Sequence, residues 1–228
     1  MAATLVGYSK YIYEVGMDEM GTEHKIETYV GVFIGAITFT GSVVACGKLE
    51  GKIRAAPLMM CGAGRHVINA FIIIASFIMM VAFVKQDGTA AVTFLVIMTV
   101  LAFFLGWHLV MAIGGADMPV VVSMLNSYSG WTTSASGFLL ENDLLIITGA
   151  LVGSSGAILS YIMCKAMNRA FINVIAGGFG QGTSTAAPAG PAPTGTQTET
   201  NTETLVTELL SARSVVIVPG YGMAVAKA

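Results

Sequence analysis

Hydrophobic and polar positions in this chain segregate into long blocks rather than alternating residue by residue. Five blocks are almost free of charge, at about 28–46, 67–84, 89–113, 118–140 and 143–164. Each has roughly the 17–25 residues that a helix needs to cross a bilayer, so the pattern predicts five membrane-spanning helices. Their textures differ. The third block is bulky throughout (Phe94, Leu95, Ile97, Phe103, Phe104, Leu105), which predicts a lipid-facing helix. The first carries Gly31, Gly35, Thr38, Ser42 and Ala45 at helical spacing, and the fifth carries Gly149, Gly153, Gly156 and Ser160. Small residues at such intervals let helix backbones approach closely in lipid.

The flanks follow other patterns. Residues 1–27 are acidic, with Glu14, Asp18, Glu19, Glu23 and Glu27, and read as the remnant of an upstream helix followed by an acidic loop. Residues 28–173 form the membrane domain and 174–200 a flexible linker, because 181–200 is rich in Thr, Ala, Gly and Pro without an apolar period. In 201–228, Thr202 to Ala212 predicts a short helix with Leu205, Leu209 and Leu210 on one face. Ser214 to Val218 is a β-branched run of the kind that forms a buried parallel strand. A Rossmann unit needs strand, helix and second strand. The expected fold class is thus an all-α polytopic membrane domain of about five helices, followed by the truncated start of an α/β Rossmann-type domain. The sequence reads as a fragment of a longer reading frame, inactive by itself.

Loop charges orient the helices. The connection 47–66 holds Lys48, Lys52, Arg54 and Arg65, and the segment after the last block holds Lys165 and Arg169. The stretches 85–88 and 141–143 set Lys85 against Asp87, Glu141 and Asp143. Five crossings place 47–66, 114–117 and 165 onward on one side, and that basic side is the inner one. Composition agrees with a membrane protein: 55% of residues are hydrophobic and 11% charged, with a mean hydropathy of +0.77, where a soluble domain carries about twice that charge. A net charge of −2 offers no basic footprint for nucleic acid. Cys46, Cys61 and Cys164 are spaced neither as a disulfide framework nor as a zinc ligand set, so no metal is expected. No basic and apolar leader follows Met1.

Candidate chemistry concentrates in the fourth block. Asp117 stands at its mouth, before Met118 and Pro119, and Asn126 lies roughly 13 Å further along the helix. Polar groups at such depth are expensive in lipid and face a protein interior or an ion path. Asp117 reads either as an N-cap accepting from free backbone N–H groups or as a titratable proton site at the membrane surface. Ser123, Ser127, Gly130, Thr133, Ser134 and Gly137 lie on the Asn126 side of the helix. That stripe reads equally as a packing face with an interhelical amide bond or as a water-lined track. Trp107 and His108 read as interfacial anchors, and His24 and His66 as loop residues. After the linker, Gly220-Tyr221-Gly222-Met223-Ala224-Val225 follows the strand run and opens toward a helix, the context that a dinucleotide fingerprint requires.

The run from Ile113 through Gly114-Gly115-Ala116-Asp117-Met118-Pro119 to Trp131 resembles the proton-translocating NAD(P) transhydrogenases. So do Asn142-Asp143-Leu144-Leu145, Thr148 to Cys164, Ala166-Met167-Asn168-Arg169 and Pro219 to Ala226. The likeness is to the beta-type subunit, a membrane domain followed by an NADP(H)-binding domain, and runs from about Tyr29 to the end. It implies an enzyme that couples hydride transfer between NADH and NADP+ to proton movement across the mitochondrial inner or bacterial plasma membrane. It also implies that Asp117 and Asn126 serve the proton path and that Lys165 and Arg169 join the membrane and nucleotide domains. NADP(H) would be held at Gly220 to Val225, a choice over NAD that rests on the resemblance alone, and NAD(H) on a partner domain or alpha-type subunit. Further membrane helices, among them one bearing an intramembrane His, and a dimeric full enzyme are implied as well. The rival reading is a secondary transporter or channel segment with an intramembrane Asp and Asn site.

Overall fold

The computed structural model describes residues 1–17, 21–54, 64–86, 88–168, 170–175 and 201–216. The chain divides into two compact units, Met1–Phe179 and Gly180–Ala228. The first unit holds α1 (Ala2–Met17), α2 (Thr22–Leu49), α3 (Gly64–Lys85), α4 (Gly88–Met111), a 3-10 turn (Gly115–Asp117), α5 (Met118–Leu139), α6 (Asp143–Ala166) and α7 (Phe171–Ile175). In the second, α8 spans Thr202–Ser211. No strand occurs among the described residues. The expected strand from Ser214 is neither helix nor strand as far as Val216, and its last residues lie outside the described ones, so a Rossmann-type start is not seen.

Four helices among the described residues are long and apolar enough to cross a membrane: Thr22–Leu49, His66–Lys85, Gly88–Met111 and Asp143–Ala166. The remaining expected span, the fourth in chain order, is α5, a helix of 22 residues that falls short in apolar character. Seven Ser and Thr residues and Asn126 lie between Ser123 and Ser136. Several return their hydroxyls to the carbonyl four residues back, as Ser129 does to Leu125, Thr132 to Tyr128 and Ser136 to Thr132, so the helix meets much of its polarity internally.

Helix ends and membrane ends do not coincide. The span expected from residue 28 begins as a helix at Thr22, taking in Glu23, His24, Lys25 and Glu27. His24 is thus helical, as is His66 in α3, and neither is a loop residue. Glu and Lys are good helix formers, so the helix carries on past the apolar block. The acidic start of the chain is likewise mostly helix, with Lys10 and Glu14 paired at 2.6 Å one turn apart in α1.

α2 is the central helix, packed against α1, α4 and α5, while α3 leans on α4 and α6 on α5. At one end Phe83 of α3 sits between Tyr11 of α1 and Tyr29 of α2, with ring centroids 5.1 and 5.6 Å away. The Tyr29 hydroxyl donates to the Ser76 carbonyl at 2.6 Å. The bulky α4 does not face lipid throughout: Leu95 and Leu105 are fully enclosed, because α4 lies between α2 and α3. It is α3 that exposes its apolar side, with Phe71, Ile74, Phe77, Ile78 and Val81.

Candidate functional site

α5 and α6 form an antiparallel hairpin whose contacts run from end to end. Gly137 meets Ile146 near the connecting turn, Gly130 meets Gly153 in the middle, and Gly156 meets Ser127 toward the far end. A Cβ built on Gly130 would lie 2.6 Å from the Cα of Gly153, so the backbones touch only because neither residue has a side chain. Ser127 Oγ donates to the Gly153 carbonyl at 2.6 Å, and Ser123 Oγ to the Gly156 carbonyl at 3.1 Å. The turn between the helices is closed by Glu141, in the left-handed region at φ 51°. Asn142 then accepts from the Leu145 N–H at 3.2 Å to begin α6.

The polar stripe expected on one side of α5 therefore splits in two. Ser123, Ser127, Gly130, Ser134 and Gly137 pack on α6, where hydroxyls and glycines hold the pair together. Asn126 turns away from that seam. It lines a groove of about 490 Å³ between α5 and the end of α2, shared with Ser42, Ala45, Cys46, Leu49, Glu50, Val122, Leu125 and Ser129. The amide faces a region with other polar groups, not a packed helix interface. Cys46 Sγ donates to Glu50 Oε1 at 3.4 Å, and Lys52 pairs with the other carboxylate oxygen. Hydrogen bonds from Lys52 and then Cys46 hold the Glu50 carboxyl below the usual carboxylate range.

Asp117 occupies the N-cap position of α5, with Pro119 in the first turn, yet its side chain makes no capping hydrogen bond. It is only 6% exposed. The structure thus does not use this carboxylate as a hydrogen-bonding cap, and it encloses the group where α4, the 3-10 turn and α5 meet. Asp117 and Asn126 are not brought into one cavity; they are joined through two and a half turns of α5. Beside them, a small apolar cavity of about 50 Å³ is lined by Val110, Ile113, Val120 and Val121, and Val174 of α7 closes part of its wall.

Two residues gained importance only in three dimensions. His108 is buried rather than interfacial: its Nδ1 lies 2.7 Å from Asn69 Oδ1 of α3, and its ring stacks on Phe104. Lys48, counted above as a loop charge, is 5% exposed in the last turn of α2. Its ammonium donates to the carbonyls of Val110 at 3.1 Å, Met111 at 2.8 Å and Ile113 at 2.7 Å. Position at a helix end was the one signal the sequence carried, and it does not distinguish a buried lysine from a solvated one. Gly220 to Val225, Arg169 and Cys61 lie outside the described residues.

The NAD(P) transhydrogenase beta subunit family matches residues 1–228. Two Rhodospirillum rubrum sequences named NAD(P) transhydrogenase subunit beta are 48% identical over 233 aligned positions, covering 100% of this chain and 49% of each relative. The chain spans about half the length of the curated relatives it matches. With its four long apolar helices and its match across all residues, this integral membrane chain belongs to the NAD(P) transhydrogenase beta subunit family.

Proposed function

We propose that this chain supplies the proton-conducting membrane part of a transhydrogenase, coupling hydride transfer between NADH and NADP+ to proton movement across a bacterial or mitochondrial membrane. The observation that carries the reading is α5 itself. It is too polar to be held by lipid alone, starts at a buried carboxylate, and presents Asn126 to a groove lined by hydroxyl, thiol and carboxylate groups. In this reading Asp117 takes up and releases the proton at the inner surface, and Asn126 orients water carrying it along the α2–α5 groove. A secondary transporter would explain an intramembrane Asp and Asn, but not membership of this family.

α5 is the further crossing that brings the count to five, fourth in chain order. Its antiparallel contacts with α6 extend from Gly137 to Ser123, so it traverses the same depth as a helix that is itself long and apolar enough to span. The count of five returns 47–54, Asp117 and Lys165 to one side. Gly220 to Val225 would hold the pyrophosphate of NADP(H), a reading supported by the glycine spacing after the linker and by the family. When bound, the nicotinamide accepts or gives the hydride; residues of the membrane unit supply proton binding and transmit it. The coupling is thermodynamic, since proton binding and nucleotide occupancy bias one conformational equilibrium. NAD(H) binds a partner domain or alpha-type subunit, and the further membrane helices and a dimeric assembly complete the enzyme.

Two experiments on the complete enzyme test this. Reporters fused after Lys52 and Lys165 should read the inner compartment and one after Asp87 the outer; a Lys165 fusion reading outside would remove α5 as a crossing. Asp117→Asn should collapse proton-driven hydride transfer, and Asn126→Ala should impair the same step in a protein that still accumulates in the membrane. Normal protons per hydride in both variants would overturn the reading. Because Asp117 makes no capping bond, a loss of turnover in Asp117→Asn is not explained by the roughly 1 kcal/mol that a lost cap would cost.

A further inference from the structure

The turn that delivers Asp117 is held from another helix. The last carbonyls of α4 have no partners within the helix, and they form the negative end of its dipole. In water such groups would be hydrated. Here Val110 and Met111, and Ile113 just beyond the helix, are buried, and Lys48 from the last turn of α2 reaches all three carbonyls, that of Val110 also accepting from the Ile113 N–H at 3.2 Å. An ammonium has three donors, and all three are committed, at 3.1, 2.8 and 2.7 Å. The chain after Ile113 then turns at once, with the Asp117 N–H donating to the Gly114 carbonyl at 3.1 Å, and α5 begins. Around the same point Val44 and Ala45 of α2, Val110 and Met111 of α4, and Met118, Val121 and Leu125 of α5 form one apolar cluster. The ammonium is therefore the polar pin of a three-helix junction whose outlet is Asp117.

We propose that Lys48 is a positioning residue for Asp117, fixing the end of α4 and the 3-10 turn so that α2 and the carboxylate move as one body. The role rests on the reading of Asp117 as the proton-exchanging group. It extends that reading by naming α2, the other wall of the Asn126 groove, as the element that sets where Asp117 stands. A displacement of α2 would shift the three carbonyls, and the turn with them. An apolar side chain of similar length could fill the space but would take the ammonium donor from the buried Met111 and Ile113 carbonyls, while the Val110 carbonyl would keep the Ile113 N–H. Arginine keeps charge and donors, though as a planar fork instead of a rotatable tripod.

The test uses the complete enzyme in membrane vesicles, with protons moved per hydride transferred as the readout and membrane abundance measured beside it. Lys48→Met should lower the ratio at least about fivefold, the lower end of ordinary coupling between sites, and Lys48→Arg should restore most of it. A residue that merely stabilises the fold would reduce the amount of protein and leave the ratio per molecule unchanged. Where Lys48→Met accumulates poorly, Lys48→Gln decides, since its amide offers two donors without charge: a lowered ratio supports the role, and a wild-type ratio overturns it. Asp117→Asn run in parallel separates the two failures. If it loses the ratio while Lys48→Met keeps it, the positioning role alone is overturned; if both keep it, the proton-exchange reading falls as well.

Discussion

The α5–α6 and α3–α4 hairpins both join two long antiparallel helices through short connections, yet they are held by opposite means. In α5–α6 the backbones touch: glycines stand opposite one another, and serine hydroxyls reach across to main-chain carbonyls. In α3–α4 the helices are kept together by large side chains and a few polar ties, such as His108 with Asn69, while Tyr29 of α2 anchors α3 through Ser76. Most of α3's other large residues are exposed. Apolar surface gives little drive for helix association in lipid, because the lipid tails are as apolar as Leu. The polar, glycine-rich pair is therefore the rigid one, and the apolar helix that looks most like a membrane span contributes least to the interior. That suits the proposed function, since a proton-bearing helix needs a fixed register against its neighbour.

The sharpest way to break this contrast is to enlarge a glycine. Gly130→Leu would drive a side chain into the backbone of Gly153, which cannot yield, and should cost about 3 kcal/mol or more in thermal unfolding of the purified protein. A cost under 1 kcal/mol would mean that the α5–α6 seam is not tightly closed. Next comes Tyr29→Phe, which deletes the hydroxyl donated to Ser76 and should cost about 1 kcal/mol, showing that α3 depends on isolated polar ties. Ser127→Ala removes the 2.6 Å bond to the Gly153 carbonyl and should cost about 0.6 kcal/mol, because the glycine contacts remain. Least affected should be Phe77→Ala, on the exposed side of α3, within about 0.5 kcal/mol. A loss there as large as that of Gly130→Leu would show that this face rests against protein and not lipid.

The features legible along the chain were those set by local and compositional physics. Blocks of uncharged residues long enough to span a bilayer became α2, α3, α4 and α6. Small residues at intervals of three and four marked α6 as a close-packing helix, and the Asp-Met-Pro start announced α5. Family resemblance was legible too, because it lies in the order of residues. Tertiary structure alone decided which face each helix shows to which neighbour. It sent Ser127 to α6 and Asn126 to the α2 groove, although both belong to one polar stripe. One face of bulky α4 was enclosed and most of α3 left facing outward, a choice that hydropathy cannot make because lipid and protein interior are equally apolar. His108 and Lys48 passed from apparent surface anchors to buried hydrogen-bonded groups, for their partners lie 39 and more than 60 positions away. A lysine at a helix end is worth little in solvent and a great deal against buried main-chain carbonyls, and only the packing of α2 on α4 tells the two apart.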